Sequence, residues 1–262
     1  MDDLRLVFCS SSDVVNFETN HYVEKMPGKY FRRKPNSKPE GKPRGHHGQQ
    51  IHFLIWYKGE NVGAISGGSA VFATKVRDDF FGINKNNRTQ TLNGIIDNTL
   101  FRLENHEPNL ATRVLRYWRR SVVEYWEYLY DVKPFGFETF VEFDDISDEE
   151  HPNRQRVGCL YKADNWIFVG ETSGSTKNHI GVGLTGSPKL GGEGSYAREK
   201  VSPKLVFCKW IRGFTEPQYC GYKSSWKAGT TAGTSEEKVL AKERTDRRKR
   251  CVGTSSLTEA FI

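Results

Sequence analysis

At 262 residues, with 36% hydrophobic and 13% aromatic side chains, the chain has enough apolar material for one large, aromatic-rich core. No stretch approaches the roughly 20 apolar residues that span a membrane, and MDDLRLVFCSSS is acidic where a secretion signal needs a basic region, so a cytoplasmic protein is expected. The net charge of +7 reads either as solvated basic loops or as a surface for a polyanion, while five scattered cysteines without a CxxC pair argue against a zinc ribbon or disulfide framework.

Leu4 to Cys9 reads as a first strand, closed by the SSSD turn. Ser12 or Asp13 then caps a short helix through Val14 and Phe17 to His21, which must stop at MPG. Residues 29–48 are a basic, proline-bearing insertion expected to order on binding, and His46 and His47 within it read as loop residues rather than metal ligands. Gln50–Tyr57 and Val62–Thr74 form a hairpin about KGEN. Gly63, Gly67 and Gly68 in its second strand signal bulges, a close backbone approach or room for a ligand. Lys75–Gly94 is polar and is expected to run over the surface.

Ile95–Leu103 is a fourth strand. Leu110, Val114, Trp118, Val122, Trp126 and Leu129 then recur at helical spacing, so a long helix starts near Pro108 or Asn109. Because this helix follows a strand, its first amides either hold an anion with Asn109, Thr112 and Arg113 or are simply capped by Asn109. Phe137–Phe143 is a strand ended by Asp144 and Asp145. After an acidic loop come a short helix at Arg156–Lys162 and a strand at Trp166–Gly170. Residues 173–195 are a Gly/Ser-rich loop with the makings of a substrate lid, and Lys204–Ile211 is the last strand. The expected organisation is one domain over 1–211 and a basic tail or appendage over 212–262, with a helical stretch at Glu236–Arg250. The fold class is α/β (α+β): a mixed, mostly antiparallel central sheet flanked by helices.

That element order resembles the GNAT acyltransferase fold, and LYKADNWIFVG is similar to that fold's closing helix and strand. More narrowly, NHYVEKMP (Asn20–Pro27), NLATRVLR (Asn109–Arg116) and FVEFDD with GCLYKADNWIFVGET resemble the Mom family of phage DNA-modification proteins. The resemblance implies a GNAT-like transferase that alters the exocyclic amine of adenine in double-stranded DNA, with a carbamoylmethyl or acyl-type product, inside a phage-infected bacterium. It implies His21, Tyr22 and Asp144 as the reaction centre, acting either in proton transfer or as iron ligands. Asn109, Thr112 and Arg113 would belong to a site for acetyl-coenzyme A or another acyl donor. ENHEPN lacks the glycine of the usual pyrophosphate loop, and Asp144 is followed by Asp145 rather than proline, so either carboxylate fits. For a DNA partner, Lys29, Arg32, Arg33, Lys34 and Arg44 are the first phosphate contacts and Arg247–Arg250 the second. Two other readings stay open: an acyltransferase acting on a small amine or protein lysine, and a non-catalytic nucleic-acid-binding module on the same scaffold.

Overall fold

Alternating apolar residues build the strands and an apolar stripe of period 3.6 builds the long helix, and the two meet in one core. The computed structural model describes residues 3–17, 48–142, 144–145, 155–172, 176–178, 198–200, 203–220 and 235–257. In chain order the elements are β1 (Leu4–Cys9), β2 (Gln50–Tyr57), β3 (Glu60–Ser69), α1 (Lys75–Phe81), α2 (Arg88–Thr91), β4 (Ile95–Leu103), α3 (Leu110–Tyr130) and β5 (Gly136–Glu142). There follow β6 (Asp144–Asp145), β7 (Gln155–Arg156), α4 (Cys159–Ala163), β8 (Ile167–Glu171), β9 (Thr176–Asn178), β10 (Arg198–Lys200), β11 (Lys204–Trp210) and α5 (Ser235–Cys251).

Seven strands make one sheet in the order β1-β2-β3-β4-β5-β11-β8, and β6–β7 and β9–β10 are separate two-stranded ladders. Every neighbouring pair in the large sheet is antiparallel except β4–β5. The mixed, mostly antiparallel α+β class expected from the sequence is the one the chain adopts.

α3 lies across one face. Leu110, Val114, Trp118, Val122, Trp126 and Leu129, the stripe read from the sequence, are all buried against Phe53, Ile65, Ile96 and Phe137. Tyr125 from the same helix stacks on Phe8 at 5.0 Å. Each such side chain removed from water stabilises the fold by about 1.5–3 kcal/mol. Gly67 is what lets the helix come this close. A Cβ there would stand 2.9 Å from Ile96 Cγ2 and 3.1 Å from Val122 Cγ2, so its role is packing.

The opposite face is covered at one end by α1, whose Phe81 packs with Ile95, Phe135, Val206 and Cys208. Lys75–Gly94 is therefore not a surface excursion. It contains α1, α2 and a 3-10 turn at Leu92–Gly94, and it buries Arg77, Asp78 and Phe81. The reason is pairwise: these charges enter the core because they neutralise one another.

α5 is tied to the body through its C-terminal half. Arg247 Nη1 donates to Tyr128 O and Asp131 Oδ1, each at 2.8 Å, and Arg248 Nη2 donates to Gln50 O and to Tyr130 Oη. Cys251 is fully buried in the α3-side core. Beyond it, Gly253 N donates to Phe8 O and Phe8 N to Thr254 O, both at 2.8 Å, so this segment follows the outer edge of β1. Two of the four residues of the Arg247–Arg250 run thus have partners inside the protein. Among the described residues no helix is long and apolar enough to cross a membrane.

Candidate functional site

The one parallel pair among the described strands defines the site. β4 and β5 are in register over Ile95↔Gly136, Ile96↔Phe137 and Asp97↔Glu138 only. Beyond that last rung β4 bulges: Gly67 pairs with Asn98 but Ser66 pairs with Leu100, leaving Thr99 as the extra residue. Gly68 makes room for the bulge, since a Cβ there would sit 2.8 Å from Thr99 Cγ2. Register partners on adjacent strands present their side chains to the same face. Asp97 and Glu138 therefore stand side by side where the strands begin to separate, and both are buried.

Glu138 is held in place. Its Oε1 accepts Val71 N–H at 2.8 Å, and its Oε2 accepts Arg77 Nη1 at 2.6 Å. Arg77, with no exposed surface, also donates from Nε to Asp78 Oδ1 and from Nη2 to Val71 O, both at 2.6 Å. Asp78 Oδ2 accepts from Arg88 Nη2 at 2.6 Å. Two guanidinium groups thus match two carboxylates, Asp78 and Glu138. Asp97 is the third carboxyl, and it forms no ion pair among the described residues. Its Oδ1 is buried without a hydrogen-bond partner among the described residues. Burial first, and the Glu138 charge second, push Asp97 well above the ordinary 3.8, with Arg77 and Lys204 opposing. Burial also pushes Glu138 up, while Arg77 and the Val71 amide pull the other way. Arg77 is raised: burial works against its charge, but Glu138 and Asp78 outweigh it. The result is a fixed Arg77–Glu138 ion pair beside a carboxyl whose pKa is pushed up by burial and by the Glu138 charge.

On the α3 face of the same gap, Tyr161 of α4 closes the space. Its hydroxyl donates to Asn98 Oδ1 at 2.8 Å and accepts from Thr139 Oγ1 at 3.3 Å, which links the two strands just past their last rung. Burial pushes this phenol up to about 12, so it acts as a neutral strut. α4 is fixed in turn by Asp164, which takes both Arg119 Nε at 2.6 Å and Arg119 Nη2 at 2.7 Å, and also accepts Trp166 Nε1 at 2.8 Å. Gly158 opens α4 in the left-handed region, φ 70°, directly beneath the Phe207 ring, where any Cβ would be 2.5 Å from ring carbons. A further buried pair, His52 Nδ1 and Ser66 Oγ at 2.8 Å, spans β2 and β3. Gln50 Oε1 lies 3.3 Å from His52 Nε2, so both ring nitrogens face polar partners.

The residues singled out from the sequence fall into three groups. Asn109, Thr112 and Arg113 do come together at the start of α3. There Asn109 is left-handed, φ 61°, and makes no side-chain cap; its carbonyl accepts Thr112 Oγ1 at 2.9 Å and Arg113 N at 3.1 Å. Arg113 lies over the Tyr57 ring, 5.7 Å from its centroid. His21 and Tyr22 lie outside the described residues, as do Lys29, Arg32, Arg33, Lys34 and Arg44. Asp144 and Asp145 form β6 against Gln155 and Arg156. No group of three or more His, Cys, Asp or Glu side chains among the described residues is arranged to hold a metal ion. Sequence reading passed over Asp97, Glu138 and Arg77. The only available signal was an acid set in each of two otherwise apolar strands, IIDNTLFRL and GFETFVE.

A family model for the Druantia protein DruA matches residues 42–217, about two thirds of the chain. No curated protein matches it. The match corrects the resemblance to Mom-like phage DNA-modification proteins, and the assignments that rested on it, adenine modification and acyl transfer, are withdrawn. The matched region holds β2 to β11 and, within them, the parallel pair with Asp97, Glu138 and Arg77. The chain belongs to the Druantia protein DruA family.

Proposed function

We propose that this chain is a component of a phage-defence system, the role its family suggests, and that it contributes acid–base chemistry at Asp97. The observation that carries the chemical part is the unmatched carboxyl itself. It is buried, with its pKa pushed well up by burial and by Glu138, has one oxygen without a partner among the described residues, and sits at the rung where β4 and β5 part. A carboxyl in this state gives up its proton only to a group brought against it. Once deprotonated it is a far stronger base than a carboxylate in water, because burial and Glu138 both favour regaining the proton. Glu138, locked by Arg77 and Val71, is a positioning residue that sets this tendency.

Asp97→Asn tests the reading. Asparagine matches a protonated aspartate in shape and neutrality but cannot exchange a proton. In cells carrying the complete defence system, the variant chain is expected to remain folded and to lose protection, measured as plaque formation relative to cells lacking this chain. Full protection by the Asp97→Asn chain would show that the carboxyl is only a packing group.

A further inference from the structure

A second site, at the other end of β5, has the features of a base-binding pocket. The link between α3 and β5, Asp131–Lys133, and Phe214 with Gln218–Cys220 after β11 border an open hollow of about 510 Å³. That lies within the roughly 300–1,000 Å³ of small-ligand sites. Two aromatic side chains line it. Tyr219 is 73% exposed and has no ring or hydrogen-bond partner among the described residues, so its faces are presented to the pocket and to solvent. Phe214 is covered on one side by Lys133, whose Nζ lies 5.8 Å from the ring centroid.

The charges at the rim point to the same class of ligand. Asp131, the one acid in the lining, is neutralised by Arg247 of α5 at 2.8 Å. The thiol of Cys220 is pushed up to about 11 by burial and stays neutral. Lys133 remains as positive charge in the lining, on a chain whose net charge is +7. An exposed aromatic platform beside Lys133, with the one acid of the lining paired to Arg247, suits a ligand that has a flat π-face and a phosphate.

We propose that this pocket binds a nucleobase of single-stranded nucleic acid, stacked on Tyr219, with Lys133 on the adjoining phosphate. A single strand is favoured because a base inside a duplex keeps both faces stacked and cannot reach Tyr219. The site is separate from Asp97, and the inference does not depend on the acid–base reading.

The test is fluorescence anisotropy of a fluorescein-labelled oligo-dT with the full chain, compared with the same label on a duplex. Tyr219 is largely exposed, so its variants are expected to fold. Tyr219→Ala should weaken single-strand binding roughly tenfold, a mid-range value for base–aromatic stacking, while Tyr219→Phe keeps it. Lys133→Ala should lower the slope of log Kd against log salt by about one phosphate contact. Unchanged binding by Tyr219→Ala, or duplex bound as tightly as single strand, overturns the proposal. So does loss of phage protection by Tyr219→Ala with oligonucleotide binding intact, because a protein partner would then occupy the pocket.

Discussion

Replacing Arg77 with methionine removes the one cation that, among the described residues, is paired with Glu138, and the structure sets how large the effect should be. Arg77 has no exposed surface, and its three donations, to Asp78, Glu138 and Val71 O, are all 2.6 Å. Methionine roughly fills the volume but leaves Glu138 buried without a counter-charge, beside an already raised Asp97. Breaking a buried pair from one side costs about 3–5 kcal/mol. For a chain of this size that lowers Tm by roughly 6–20 °C, at about 2–4 °C per kcal/mol. Adding Glu138→Gln to Arg77→Met removes the orphaned charge, so the double variant should recover at least ~1.5 kcal/mol relative to the sum of the single changes. Urea unfolding followed by tryptophan fluorescence would measure this, since Trp118 and Trp126 are fully buried and report on the core. An Arg77→Met chain within ~1 kcal/mol of wild type, or single changes that simply add, would refute a charged, desolvated cluster.

Two further outcomes follow from the same geometry. Asp97 has a folded-state pKa well above 3.8, so the folded chain holds a proton that the unfolded chain releases. Its favourable contribution is complete below the unfolded value and is lost as pH rises through the folded one. Asp97→Asn should therefore flatten the fall of Tm with rising pH above about 4 and be at least as stable as wild type at neutral pH; an unchanged profile would count against the protonated carboxyl. Tyr161→Phe removes the donor to Asn98 Oδ1 in a buried setting and should cost about 1–3 kcal/mol by urea unfolding, with a change under ~0.5 kcal/mol ruling out the strut between β4 and β5.

Much of the frame was legible because it depends on local periodicity. The α3 stripe from Leu110 to Leu129, the β2–β3 hairpin, β4, β5 and β11 each announce themselves within their own residues. The mostly antiparallel sheet follows from their order. Gly67 was legible only as a position needing space; Trp118 and Val122, which need that space, lie more than fifty residues further along. The family was misread for a related reason. NLATRVLR and GCLYKADNWIFVGET carry the demands of a helix start and of a short helix turning into a strand, and chains with the same element order share those demands.

What the amino-acid sequence settled alone was the α+β architecture, the long helix and its buried face. The state of Asp97 was decided by tertiary structure. In isolation IIDNTLFRL offers an ordinary acid, and KVRDDFF looks like a solvated helix. Only when the parallel pairing sets Asp97 beside Glu138, and α1 brings Arg77 to Glu138, do three carboxyls face two guanidinium groups in a low-dielectric interior. Burying a charge costs far more than holding a proton there, so the pKa of the unmatched carboxyl is driven up.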